Sequence, residues 1–252
     1  MRILKLTTLL LLGVLVIGCS GKKEVLTEAK RMNNALRLYE KAQYSMLSGN
    51  YRTAVEYLER LDSLYPFGAY SHQAQLNLIY SYYKLDDFAS GIAAAERFIR
   101  QNPRHKDLDY AHYMKGLINF SSETGFGKAV FSAPLSQRDA STARQSFEDF
   151  AELIRLFPNS KYAKDARQRM IYLRNRLAEY ELHVANYYMK REAYQAAAAR
   201  AQYVVDHYPQ TPSIPYALSL MVTAYELLNL PELKENARRV LLLNYPDFDI
   251  NG

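Results

Sequence analysis

The chain has 252 residues, 49% of them hydrophobic and 23% charged, a balance that builds a folded body and excludes a disordered one. Its one cysteine cannot staple that body internally, so stability has to come from packing. The net charge of +6 is carried without a basic cluster or a recognition-helix pattern, which removes nucleic acid from the expected partners.

In chain order the first element is a leader. Arg2 and Lys5 precede an apolar run from Leu6 to Ile17, and the run closes in the lipobox Val16-Ile17-Gly18-Cys19. About 12 apolar residues are too few to span a bilayer and suit a secretory signal. Residues 1–18 are expected to be removed, leaving Cys19 acylated at the new N-terminus and a net charge of +4. Each buried CH₂ of an acyl chain contributes about 0.8 kcal/mol, so two or three chains anchor firmly. No other apolar run reaches the roughly 20 residues of a transmembrane helix. The expected membrane attachment is therefore the acyl anchor only, and Ser20, where an Asp would favour inner-membrane retention, points to the periplasmic face of the outer membrane.

Beyond the leader the chain repeats itself. Tyr65-Pro66, Asn102-Pro103, Phe157-Pro158, Tyr208-Pro209 and Tyr245-Pro246 each close an apolar segment, and twelve residues before four of these prolines stand Ala54, Gly91, Ser146 and Ala197. Large apolar residues return at helical spacing between them, as in Ala54, Leu58, Leu61 and Tyr65, or Phe88, Ile92, Ala95 and Phe98. A tight turn precedes each such helix: Ser48-Gly49-Asn50-Tyr51, Leu85-Asp86-Asp87-Phe88 and Arg191-Glu192-Ala193-Tyr194. Gly49 suits a left-handed cap, and Asn50 and Asp87 suit the N-cap of the next helix. Helix, turn, helix, proline is the tetratricopeptide plan, so the expected fold is all-α, an α-solenoid of about five helix pairs with a concave binding side.

The proline spacings of 37, 55, 51 and 37 contain two long intervals with different causes. One is an inserted loop at 121–140, containing Gly125-Phe126-Gly127-Lys128 and Pro134. The other is the stretch from Lys161 to Glu192, which lacks Gly and Pro. There Ala166, Met170, Leu173, Leu177, Tyr180, Val184 and Tyr187 step by four and three, as on one long helix. The expected organisation is thus repeats 1–3 over 19–160 and repeats 4–5 over 161–252, joined by that helix.

No catalytic constellation emerges. His72, His105, His112, His183 and His207 have no metal-ligand spacing, and the segment around Lys128 has Ser122 and Ala129 where a phosphate loop needs Gly and Ser or Thr. A non-catalytic protein without metal or cofactor is expected. Counting from Gly91, Ile79 and Tyr82 pack between helices, whereas Gln73, Tyr80 and Tyr83 face the concavity; Tyr39, Gln43 and Met46 hold the like positions in the first repeat. That chemistry suits an extended peptide, with pockets for apolar side chains and amides for its backbone.

Longer motifs carry a resemblance. Tyr65-Pro66-Phe67-Gly68, Leu78-Ile79-Tyr80-Ser81-Tyr82-Tyr83-Lys84, Met114-Lys115-Gly116-Leu117, Arg138-Asp139, Phe157-Pro158-Asn159-Ser160, Tyr187-Tyr188 and Arg191 through Arg200 resemble the BamD (ComL) family. These are lipoproteins of the outer-membrane β-barrel assembly machine. The resemblance implies a scaffold that binds the POTRA region of BamA, other Bam lipoproteins and nascent outer-membrane β-barrel proteins. It implies docking of BamA on the last two repeats, through Arg200, at the position of the family's central arginine, and Arg191. It also implies a substrate groove on the first two repeats. Two features depart from the family: Glu24 to Ser48 lacks the usual proline-containing tether, and Phe126 to Pro134 lacks the usual Phe-Gly-rich loop. The rival expectation is an envelope tetratricopeptide lipoprotein coordinating cell-wall synthesis or division.

Overall fold

Ten α-helices run through residues 27–125 and 138–249, the residues described by the computed structural model, with no strand among them. Cys19, the leader 1–18 and most of the insertion, including Phe126, Gly127, Lys128 and Pro134, lie outside the described residues. The helices are α1 (Glu28–Leu47), α2 (Tyr51–Leu64), α3 (Ser71–Lys84), α4 (Phe88–Gln101) and α5 (Leu108–Thr124). They continue with α6 (Ser141–Leu156), α7 (Ala163–Lys190), α8 (Tyr194–His207), α9 (Ile214–Leu227) and α10 (Pro231–Asn244). Each packs on its neighbours in sequence, which makes five consecutive helix pairs, a tetratricopeptide-like solenoid.

The punctuation read from the sequence is what ends the helices. Tyr65, Asn102, Phe157, Tyr208 and Tyr245 each leave the helix at φ between −137° and −122°, the conformation a following proline imposes. Each still donates its own N–H to the carbonyl four residues back. Asn50 and Asp87 accept from the Thr53 and Ser90 N–H groups, both at 3.2 Å, as N-caps. Four of the turns inside pairs share one device. Gly49, Asp86, Glu192 and Asn229, each two residues before the second helix, stand at φ of +74°, +56°, +58° and +56°. Gly, Asp and Asn tolerate that left-handed region; Glu192 does so less readily.

The small residues mark where helices touch. Ala54, Ser146 and Ala197 are fully buried, and Ser146 Oγ donates to the Gly116 carbonyl at 2.9 Å, tying α6 to α5. At Gly116 a Cβ would come within 2.8 Å of two ring carbons of Phe150, a fully buried residue; at Gly91 its one tight contact would be the end of Ile118, at 2.9 Å. The Phe150 ring cannot yield as an Ile methyl can. Gly116→Ala is therefore expected to lose about 1–2 kcal/mol, overpacking outweighing the better helix propensity of Ala. Gly91→Ala should be neutral or stabilising. Urea denaturation of both variants checks the contrast.

The core forms three apolar clusters: one around Leu58, Leu61 and Leu78, one around Ile79, Phe98 and Ile118, and a larger one from Phe150 through Leu173 and Val204 to Leu241. The 28-residue α7 packs against α6 and then against α8 and α9. Because its partners change along its length, the apolar stripe drifts: Ala166, Leu173 and Leu177 are buried, but Tyr187 is exposed.

Helix α5 departs from expectation at its end. It continues to Thr124, past Phe120, where the sequence places the start of the insertion. Glu123, in that last turn, is buried and accepts from Arg176 Nε of α7 at 3.0 Å, while Arg176 Nη2 donates to the Arg138 carbonyl at 3.2 Å. One buried guanidinium thus fastens the residues on both sides of 126–137.

Candidate partner-binding surfaces

Beyond neighbours in sequence, the helices that touch most are α3 with α5 and α7 with α9, the first helices of adjacent pairs. First helices approaching one another in this way form the inner side of the stack. Tyrosines line it. Tyr39 of α1 stacks on Tyr70 at 5.1 Å between ring centroids; Tyr80 of α3 meets Tyr51 edge-on at 5.9 Å and Tyr83 at 6.4 Å. Lys84 Nζ lies 5.6 Å from the Tyr51 ring. Farther along, Tyr162 stacks on Tyr113 at 4.6 Å and tilts against Tyr110 at 5.7 Å. Burial, and then the hydroxyls of Tyr162, Tyr80 and Tyr113, push the Tyr110 phenol up. Burial and hydrogen bonding to Asp165 push Tyr113 up to about 12.

The six residues read as a groove fall into two patches. Tyr39 and Met46 pack on the first apolar cluster, Tyr80 and Tyr83 on the second. Gln43 is half-buried on α1, and Gln73 is exposed on the first turn of α3. Ile79 is fully buried and Tyr82 partly so, between helices as the spacing requires. Sequence reasoning missed Asn77. Its Oδ1 accepts from Gln73 Nε2 at 3.1 Å, but its Nδ2 is buried and meets no acceptor among the described residues. Ser81 Oγ, one turn on, is buried in the same condition. Leaving a buried donor open costs about 1–3 kcal/mol, so such a group is informative.

The two arginines occupy different settings. Arg191, just after α7, lays its guanidinium 4.8 Å over the Tyr187 ring, which meets Tyr188 edge-on. Arg200, on α8, donates from Nη1 to Glu181 Oε2 at 2.9 Å. Ala196 and Val204, one turn to either side, offer it no acid; the partner comes from the preceding helix. Glu181 is buried, and its other oxygen lies 3.7 Å from Arg144 Nη2 of α6, whose Nη1 donates to the Tyr208 hydroxyl at 3.5 Å. Both arginine side chains stay about half open, at 47% and 41% exposure, over a carboxylate that is 3% exposed. Two cations on one buried anion leave a net positive charge facing outward, held in place by an ion pair water reaches poorly. Glu181 and Arg144 were also missed. The available signal was an acid on the buried stripe of α7, one turn after Leu177.

Histidines pack against rings: His105 against Phe98 and His72, His112 against Phe157, His207 against Tyr203. Among the described residues no cluster of His, Cys, Asp or Glu is arranged to hold a metal, and no helix is long and apolar enough to cross a membrane.

Known proteins share this chain over nearly its whole length. It is 42% identical over 230 residues to the outer membrane protein assembly factor BamD of Vibrio cholerae, covering 91% of this chain and 94% of that one. It is 40% identical over 237 residues to BamD of Neisseria meningitidis, covering 93% and 89%. With BamD of Xylella fastidiosa it shares 38% over 242 residues, covering 96% and 82%. The model of the YfiO family, described as an outer membrane lipoprotein, matches residues 31–240. The chain belongs to the YfiO/BamD family. That family is one of non-catalytic assembly factors. The matched span contains both tyrosine patches, Asn77, the insertion and the Arg144–Glu181–Arg200 cluster.

Proposed function

We propose that this protein is a lipid-anchored scaffold for outer-membrane β-barrel assembly, acylated at Cys19 and held at the periplasmic face of the outer membrane. It binds the POTRA region of BamA through the face carrying Arg200 and Arg191, in company with other Bam lipoproteins. It receives unfolded outer-membrane proteins along the tyrosine-lined face of the first two repeats. The family match across residues 31–240 carries the reading. Copurification from detergent-solubilised envelopes tests it: BamA at stoichiometric yield is the expected result, and cell-wall enzymes with no BamA would overturn it.

The substrate groove has its own support in Asn77. An extended segment lying along α3 meets Tyr80 and Tyr83 with its apolar side chains, and a small outward shift of the groups that cover Asn77 lets its backbone carbonyl reach the open Nδ2. Asn77→Leu keeps the volume and removes the donor. The substitution gives up the bond from Gln73, whose exposed amide can turn to water, and relieves a donor with no acceptor among the described residues, so stability should change by less than about 1 kcal/mol. Affinity for a peptide from the carboxy-terminal end of a β-barrel protein, read by fluorescence anisotropy, should fall about tenfold. Undiminished affinity removes Asn77 from the groove.

A further inference from the structure

We infer that the edge of the solenoid where α1 begins is a lipid-contacting surface that lies against an anionic bilayer; the inference rests on the lipoprotein reading of Cys19. A cleft of about 730 Å³ at this edge is formed by Glu28, Arg31, Met32 and Ala35 of α1 and by Leu64 and Phe67 at the turn from α2 into α3. Three large apolar side chains stand open there, Phe67 completely and Met32 and Leu64 at 58% and 55% exposure. Exposed apolar residues scattered singly need no account, but three around one cleft form a wedge. The adjoining cleft shares Leu64 and is lined by Arg37, Lys41 and Arg60, with no carboxylate among its described lining. An apolar wedge with an aromatic tip, bordered by Arg31, Arg37, Lys41 and Arg60 against the single carboxylate of Glu28, is the chemistry of an interfacial membrane contact. The ring enters the boundary between headgroups and acyl chains, and the cations meet lipid phosphates.

Position decides the occupant. Thr27, just before α1, is eight residues from Cys19, and eight residues extend to at most about 26–29 Å. An acylated Cys19 therefore holds this edge within that distance of the headgroups. The acyl chains supply attachment, and the wedge supplies orientation, because a second point of contact stops the solenoid from swinging on its tether. On this inference the acyl anchor is joined by a second membrane contact.

The test uses the mature chain, residues 19–252, with Cys19→Ser. It is sedimented with vesicles of phosphatidylethanolamine and phosphatidylglycerol, or of phosphatidylcholine alone. Binding to the anionic vesicles, weakened by salt, is expected, and Phe67→Ser should lower that affinity at least about tenfold. Because Phe67 is fully exposed, its thermal melt should not move. No sedimentation with either vesicle, or equal sedimentation of Phe67→Ser, overturns the inference. Loss of a copurifying protein by Phe67→Ser with vesicle affinity intact makes the cleft a protein-docking site and equally overturns it. Mass spectrometry of the N-terminal peptide from native envelopes reads the anchor separately. An unmodified Cys19 overturns the lipoprotein reading and this inference together, whereas an acylated Cys19 without vesicle binding overturns this inference alone.

Discussion

Arg176→Met is expected to destabilise the protein by about 3–5 kcal/mol, the cost of stranding a buried partner charge. Arg176 is 3% exposed and Glu123 7%, with 3.0 Å between Nε and Oε1. The substitution leaves Glu123 in a low-dielectric site without its cation. It also leaves that carboxylate in the last turn of α5, where the helix already presents partial negative charge. The Arg138 carbonyl loses its donor in the same step. Chemical denaturation followed by circular dichroism at neutral pH should show a lower midpoint with little change in slope.

The double variant Arg176→Met/Glu123→Leu discriminates the cause. A buried ion pair replaced by apolar residues of similar volume is often neutral, because two desolvation penalties vanish with the attraction. The double variant should therefore recover most of the loss. Equal losses in the single and double variants would mean that the packing of the guanidinium over the Tyr180 ring, at 5.9 Å, and its bond to the Arg138 carbonyl matter more than its charge. A single-variant loss below about 1 kcal/mol would remove Arg176 as a structural fastener.

What could be read beforehand follows the range of the interactions. Proline ends, the Gly49 turn and the Asn50 and Asp87 caps are decided within a few residues, and each stands where its local chemistry places it. The stretch free of Gly and Pro from Lys161 to Glu192 becomes α7, because nothing in it interrupts the backbone ladder. The end of α5 was not legible. Ser121-Ser122-Glu123-Thr124 has the composition of a loop, and what keeps it helical includes an arginine 53 residues away in sequence. Asn77 escaped for a related reason. An Asn on a helix reads as surface until the neighbours that bury it, and leave its donor open, are in place.

Arg200→Leu is expected to weaken BamA docking by about 2–5 kcal/mol, from roughly thirty-fold to several thousand-fold, if Arg200 makes a desolvated charge contact there. The Leu substitution is the better test because of Glu181. Charge reversal at Arg200 would set a carboxylate beside a buried carboxylate only 2.9 Å from the present guanidinium, and the fold would suffer along with the interface. With Leu, Arg144 remains 3.7 Å from Glu181 and keeps it paired, so thermal stability should change little while binding to the purified POTRA region collapses. Glu181→Gln separates contact from positioning. It touches no partner, being 3% exposed, yet it removes the charge that orients both guanidiniums, so affinity should fall about tenfold through lost preorganisation. Unchanged binding by Arg200→Leu would move the docking face elsewhere. Loss with Arg200→Leu but not with Glu181→Gln would leave Arg200 in the interface and reduce Glu181 to a neighbour.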